Sequence, residues 1–306
     1  MTTMAAFNLK QVLAARCADA LPKGEVWLGR RLFERAGLKD TAENHVHLAN
    51  RLGQDVVCLP VCDDPAAKPD LGYRYFTPGD LTDAVGRNVP VLPVIDGPFQ
   101  EMVNNLGLMR VLTDWIQDFQ RLCGIYEAQK EKALAIIRQC LDHGVDGIIV
   151  ADDFSTESAP LVNPADIDKM CRDFYARAVD AAHSAGVPLL LHCCGNLARL
   201  IDMFKTWRLD GFAAIQANIN DIVDVYRKMG TDVMILAGIE SDMLENASPP
   251  QAAMDRLQEI VSSLALTGNF VLGSSCGLYA GDFLERIRAL YESVRGMEGG
   301  RLDAAP

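Results

Sequence analysis

Eight short β-rich runs alternate with amphipathic helical stretches along a chain of 306 residues, and this alternation limits the fold more than any other feature. The runs are Glu25–Arg30, Val56–Val61, Val91–Asp96, Gly147–Asp152, Pro188–Cys194, Phe212–Gln216, Val233–Ile239 and Phe270–Cys276. Between them, apolar residues recur at helical spacing over Thr41–Leu52, Phe99–Phe119, Gly124–His143, Pro164–Ala185, Leu197–Trp207, Asp221–Met229, Pro249–Leu266 and Gly281–Val294. No Pro- or Gly-rich linker divides the series, so the pattern predicts an α/β fold: a single (β/α)8 barrel, the TIM barrel, over residues 1–306. Local punctuation agrees. His143-Gly144 and Ser184-Ala185-Gly186 each end a helical stretch on a glycine, where the chain must turn left-handed. The stretch 62–90, with Pro65, Pro69, Pro78 and Gly79, is longer than an ordinary βα connection and is expected to lie over the barrel mouth as a lid.

Composition excludes several classes. Apolar residues make up 49% and charged residues 23%, which suits a packed core rather than a disordered chain. The apolar runs break well before the roughly 18 residues of a membrane span, and Met1–Ala20 lacks the charged-then-apolar order of a signal peptide, so a cytoplasmic protein is expected. With 29 basic against 41 acidic residues the formal charge is −12, with no basic cluster for a phosphate backbone, so nucleic acid is not an expected partner. Nine cysteines, an odd number scattered from Cys17 to Cys276, are not a disulfide framework. Any that serve as ligands must be picked out by position.

In a barrel of this kind the chemistry gathers where the strands end. Those positions hold Arg30 and Arg31, Cys62 to Asp64, Asp96, Asp152 and Asp153, His192 and Cys194, Gln216 and Asn218, Glu240, and Cys276. Strand side chains alternate faces, so His192 and Cys194 point one way and Cys193 the other. With Cys276 at the end of the last strand, one imidazole and two thiolates form a zinc set. Three protein ligands with an open fourth position is the catalytic arrangement. Adjacent Asp152 and Asp153 are candidates for substrate binding or general acid work, because like charges so close push one pKa upward. Arg30, Arg31, Asp96, Gln216, Asn218 and Glu240 are the remaining rim groups, assigned to substrate.

Two other motifs fail on geometry. Gly273-Ser274-Ser275-Cys276-Gly277 matches the G-x-S-x-G of a hydrolase elbow, but that fold needs a histidine after the serine and the last histidine here is His192. His45 and His47 sit on a helical stretch, where residues two apart diverge by about 200° and cannot share a metal.

The run Asp152-Asp153, then Ser158-Ala159-Pro160-Leu161-Val162-Asn163-Pro164, Ala185-Gly186-Val187-Pro188, His192-Cys193-Cys194-Gly195-Asn196 and the Gly273–Gly277 turn together resemble the uroporphyrinogen decarboxylase superfamily over most of the chain. That resemblance implies a (β/α)8 barrel. The decarboxylases proper lack the His-x-Cys and distant Cys set and carry an arginine-rich N-terminal loop, of which Trp27 to Phe33 keeps a partial echo. The set looks instead like the corrinoid-linked methyltransferase branch, on whose zinc ligands His192, Cys194 and Cys276 fall. Cobalamin-independent methionine synthase is a more distant relative with a glutamate ligand on the next strand, where this chain offers Gln216 and Asn218.

The resemblance implies methyl transfer between a thiol or methyl ether and the cobalt of a corrinoid. The chain has no Asp-x-His-x-x-Gly corrinoid motif, so the cobalt is expected on a separate partner protein covering the mouth. The alternatives are a metal-free decarboxylase using Arg30, Arg31 and Asp152 or Asp153, and a non-catalytic tetrapyrrole- or corrinoid-binding module. The net charge of −12 weighs against a substrate rich in carboxylates.

Overall fold

A computed structural model describes Leu9 and residues 21–246 and 248–295. Apart from Leu9, the N-terminal stretch read above for a leader lies outside the described residues, as does Cys17. Eight parallel strands follow one another around the sheet in chain order. They are β1 (Gly24–Glu25), β2 (Val56–Pro60), β3 (Val91–Asp96), β4 (Ile148–Ala151), β5 (Leu189–His192), β6 (Gly211–Ile215), β7 (Met234–Ile239) and β8 (Phe270–Ser274). A bridge between Lys23 and Leu272 brings the last strand back to the first, so the sheet is a nearly closed (β/α)8 barrel.

The helices cover the outside because each strand sends alternate residues outward. In β5, Leu189 and Leu191 join the layer beneath the helices, whereas Leu190 joins the barrel interior with Val56, Leu92, Ile149 and Met234. Helix boundaries follow the expected chemistry. Thr41 caps Ala42–Leu52 by accepting the Asn44 N–H, and Asn163 caps Pro164–Ala185 by accepting the Ala165 N–H. The second of these ends on Gly186 at φ 76°, and His143 and Gly144 close Phe119–Asp142, Gly144 lying at φ 74°.

Several boundaries differ from the sequence reading. The stretch expected as one helix over Phe99–Phe119 is two, Pro98–Leu106 and Leu108–Gln117, because Gly107 sits at φ 83° between them. Asp118 then caps a helix that starts at Phe119, ahead of the expected Gly124. The first strand was expected to reach Arg30, but its ladder stops at Glu25 and Arg30 opens a helix, Arg30–Ala36, closed by Gly37 at φ 68°. The strands expected to run to Cys194 and Cys276 stop at His192 and Ser274, so both cysteines stand two residues past a strand end.

The stretch 62–90 forms two 3-10 turns, Pro65–Ala67 and Pro78–Asp83. Bridges join its Tyr73 to Gly29 and its Phe76 to Val61. Its Tyr73 and Tyr75 are buried in the barrel-interior cluster. No helix among the described residues is long and apolar enough to cross a membrane.

Candidate metal centre

His192, the last residue of β5, is buried at 4% exposure and points into the barrel. Its Nδ1 lies 3.0 Å from the Ala213 carbonyl oxygen on β6, an arrangement that places the ring proton on Nδ1 and leaves the Nε2 lone pair free. That Nε2 is 3.4 Å from Cys194 Sγ and 3.7 Å from Asp153 Oδ1. Asp153 Oδ1 also accepts the Cys194 backbone N–H at 2.7 Å, which locks the two rim loops together. Among the described residues, Asp153, His192 and Cys194 are the one group of three possible ligands whose donor atoms all lie within 4.8 Å of one another.

Burial pushes the Cys194 thiol well above its ordinary range, and the Asp153 carboxylate beside it adds to the shift. A thiolate and a carboxylate forced together without a counter-cation are costly, and a dication between them removes that cost. A neutral imidazole nitrogen, one thiolate and one carboxylate oxygen make a donor set that suits zinc. Cys276 is not within this group of three. Burial, with the charges of Glu25 and Glu240, pushes its thiol up to about 12. Burial raises the Tyr279 hydroxyl above its ordinary range, with smaller contributions from Tyr73, Cys276 and Cys194.

The structure separates the adjacent aspartates. Asp153 faces the centre with its side chain 40% exposed. Asp152 is completely buried: Oδ1 accepts the Gln100 N–H at 2.7 Å and Oδ2 the Tyr175 hydroxyl at 2.8 Å. Its pKa is pushed up to about 8, mainly by burial and further by Asp153 and Asp96, against those two hydrogen bonds. A sequence reading that leaves either aspartate free to act is thereby narrowed: Asp152 holds helix Pro98–Leu106 against the barrel, and Asp153 alone of the two reaches the centre.

The other rim residues divide in the same way. Gln216 Oε1 accepts the Gly195 N–H at 2.7 Å and steadies the loop that carries Cys194. Glu240, 2% exposed, accepts the Ala217 N–H with one oxygen and the Ser275 hydroxyl with the other, joining the ends of three neighbouring strands. Asp96 accepts from Lys68 Nζ at 2.7 Å and from the Tyr75 hydroxyl at 2.8 Å, both on the stretch 62–90. Arg30 pairs with Asp70 at 2.9 Å, and with the exposed Arg31 it lines a cleft of about 440 Å³ whose wall includes Tyr279. Asn218 is exposed and lines a separate groove with Arg256 and Glu259, so it is not brought to the centre.

Sequence reasoning missed the aromatic wall. Trp27 meets the His192 ring edge-on with centroids 4.6 Å apart, and Tyr73 lies within 6.4 Å of both Trp27 and Tyr279. Only Trp27, beside the first strand's end, had a positional signal. The tyrosines reach the site through loop paths that no periodicity encodes.

Fold and site together define a (β/α)8 barrel with a nitrogen, sulfur and oxygen donor set at its C-terminal rim. Residues 42–297 match the family model described as Uroporphyrinogen decarboxylase (URO-D), and the chain belongs to that family. It is 26% identical over 254 residues to a methylated-thiol–coenzyme M methyltransferase of Methanosarcina mazei, a match covering 76% of this chain and 66% of that protein. This chain thus spans just under two-thirds of that relative's length. It is 21% identical over 274 residues to a uroporphyrinogen decarboxylase of Anaeromyxobacter dehalogenans, covering 87% of this chain and 75% of the relative. A solved methyltransferase from Methanosarcina mazei superposes with a TM-score of 0.70 at 16% identity, covering 96% of this chain and all of the other, which shows a shared fold.

Proposed function

We propose that this chain is a zinc-dependent methyltransferase that moves a methyl group between a small thiol or methyl ether and the cobalt of a corrinoid held by a separate protein. The observation that carries this reading is the convergence of His192 Nε2, Cys194 Sγ and Asp153 Oδ1 within 4.8 Å at the barrel rim. Similarity to a methylated-thiol methyltransferase supports it.

Zinc would be held by His192 and Cys194, with Asp153 beside them and with Cys276, which stands outside that close group, as the third ligand; when bound it supplies a Lewis acid that favours a substrate thiolate or polarises an ether oxygen. The chain's residues do the rest. Ala213 fixes the His192 ring so that Nε2 faces inward. The partly exposed Asp153 carboxylate accepts the proton that an incoming thiol must lose. Trp27, Tyr73 and Tyr75, each 8% exposed or less, keep water from the reacting atoms. Arg30 and Arg31 line the approach cleft, where they would meet an anionic end of the small substrate.

Elemental analysis of protein purified without chelator should find about one zinc per chain, lost in Cys194→Ser and in Cys276→Ser. Methylcobalamin demethylation, followed by absorbance with thiols or methoxyarenes supplied, should fall by at least roughly 100-fold in His192→Ala. A metal-free wild type, or turnover indifferent to His192, would sink the proposal.

A further inference from the structure

Strand β6 carries an irregularity beside the centre. Its register against β7 pairs Ala213 with Leu236 and then Ile215 with Ala237, so Ala214 is an extra residue with no partner. Ala214 sits at φ 54°, a left-handed conformation that a residue with a Cβ rarely takes and that Gly takes freely. In an unbroken strand, consecutive side chains face opposite sides, yet Ala213 and Ala214 both belong to the barrel-interior cluster and Ile215 to the layer under the helices. The bulge therefore reorients one peptide without changing the alternation before or after it. The carbonyl immediately before Ala214, that of Ala213, is the one 3.0 Å from His192 Nδ1.

We propose that the Ala214 bulge is a positioning device: it turns the Ala213 carbonyl onto His192 Nδ1–H, fixes the ring tautomer and aims Nε2 at Cys194 and Asp153. Disfavoured backbone at a functional rim needs a compensating gain, and the oriented imidazole is that gain. A regular β6 would use the Ala213 carbonyl along the ladder or point it elsewhere, leaving the buried ring free to take either tautomer. Neutral rings carrying the proton on Nε2, the nitrogen that must donate to a metal, would then compete with the productive form. The Ala214 side chain offers no ligand atom, so it acts through His192. The proposal rests on the zinc reading for its purpose, although the hydrogen bond and the bulge are independent of metal.

The test uses metal-stripped full-length chain labelled with ¹⁵N-histidine, at a pH where the ring is neutral, and then titrates the same samples with zinc. In the wild type, long-range ¹H–¹⁵N correlations should show His192 with a protonated Nδ1 and an unprotonated Nε2, the signal being assigned by its loss in His192→Gln. Ala214→Gly, which keeps a left-handed residue at no steric cost, should retain both the tautomer and the zinc affinity to within about twofold. Deletion of Ala214 leaves Ala213 and Ile215 in regular register with Leu236 and Ala237. It should mix the tautomers and weaken zinc binding about tenfold or more, the loss expected when a partner that orients a ligand is removed.

An Nε2–H tautomer in the wild type, or a changed tautomer in Ala214→Gly, overturns the proposal even if the deletion variant fails to fold. A folded deletion variant with unchanged tautomer and affinity overturns it as well. Wild-type chain that shows the Nδ1–H form but binds no zinc refutes the proposed function while upholding the role of the bulge.

Discussion

Cys193 and Cys194 are neighbours in sequence and opposites in surroundings. Cys193 is 2% exposed and packs in the layer beneath the helices, where its sulfur meets the Phe154 N–H at 3.4 Å. Cys194 looks inward at His192. Replacing Cys193 with Ser puts a hydroxyl among apolar side chains and should cost about 1–3 kcal/mol of stability. Zinc content should stay at the wild-type level, whereas Cys194→Ser should lose the metal with little loss of fold. Urea denaturation and metal analysis on the two variants read both effects, and metal loss in Cys193→Ser would refute the assignment of faces. This distinction was legible from the sequence because alternation is local and continues past the last ladder residue. The choice between Asp152 and Asp153 was not. It depends on Gln100 and Tyr175, 52 and 23 residues away, whose approach buries one carboxyl and leaves the other at the rim.

At the scale of elements, the sequence revealed which segments are strands and helices because each carries a period and a cap. It did not reveal the break at Gly107, since apolar residues on both sides of it face one cluster: Phe99 of one helix meets Trp115 of the next with centroids 6.1 Å apart. The stretch 62–90 was readable as an irregular connection from its prolines, but its attachment was not. Lys68, its side chain only 10% exposed, pairs with Asp96 at the end of β3 and with Glu101 on helix Pro98–Leu106. These pairs fasten the stretch to the rim next to Tyr75, which donates to the same Asp96. We propose that the stretch is a lid and Lys68 its latch. Lys68→Met leaves two partly buried carboxylates without their cation, at a cost of about 3 kcal/mol. Amide exchange over 62–77 should quicken by roughly 100-fold if the penalty falls on local opening. Zinc binding to His192 and Cys194 should be unaffected. Unchanged exchange in this variant would show that Lys68 does not hold the stretch down.

The barrel as a whole depends on the seam between its first and last strands, where β1 is only two residues long. Glycines allow the close approach: a Cβ on Gly273 would stand 2.1 Å from the Gly24 carbonyl oxygen. Beyond that point a side chain supplements the short ladder. Glu25, 1% exposed, accepts the Ser274 N–H at 3.0 Å and the Ser274 hydroxyl with one oxygen, and the Tyr291 hydroxyl at 2.7 Å with the other. It thereby joins β1, β8 and the helix Phe283–Ser293. Burial outweighs these hydrogen bonds and raises the carboxyl from 4.5 to about 7. Below pH 4.5 the group is protonated in both the folded and the unfolded chain and carries no penalty. Between pH 4.5 and about 7 the unfolded chain releases its proton while the folded chain retains it, so stability falls as pH rises. Above that window both states are ionised and the loss, about 3 kcal/mol, is complete and constant. Glu25→Gln cannot ionise, yet its amide oxygen can accept from Ser274 and its NH2 group can donate to the Tyr291 oxygen. Denaturant midpoints of wild type and Glu25→Gln, compared at several pH values, should therefore shift in favour of the variant across that window, by about 3 kcal/mol in all. Other groups titrate equally in both proteins and cancel in the difference. Parallel curves would mean that Glu25 is already charged in the folded barrel, and that the seam is held by an ion its three donors stabilise rather than by a neutral acid.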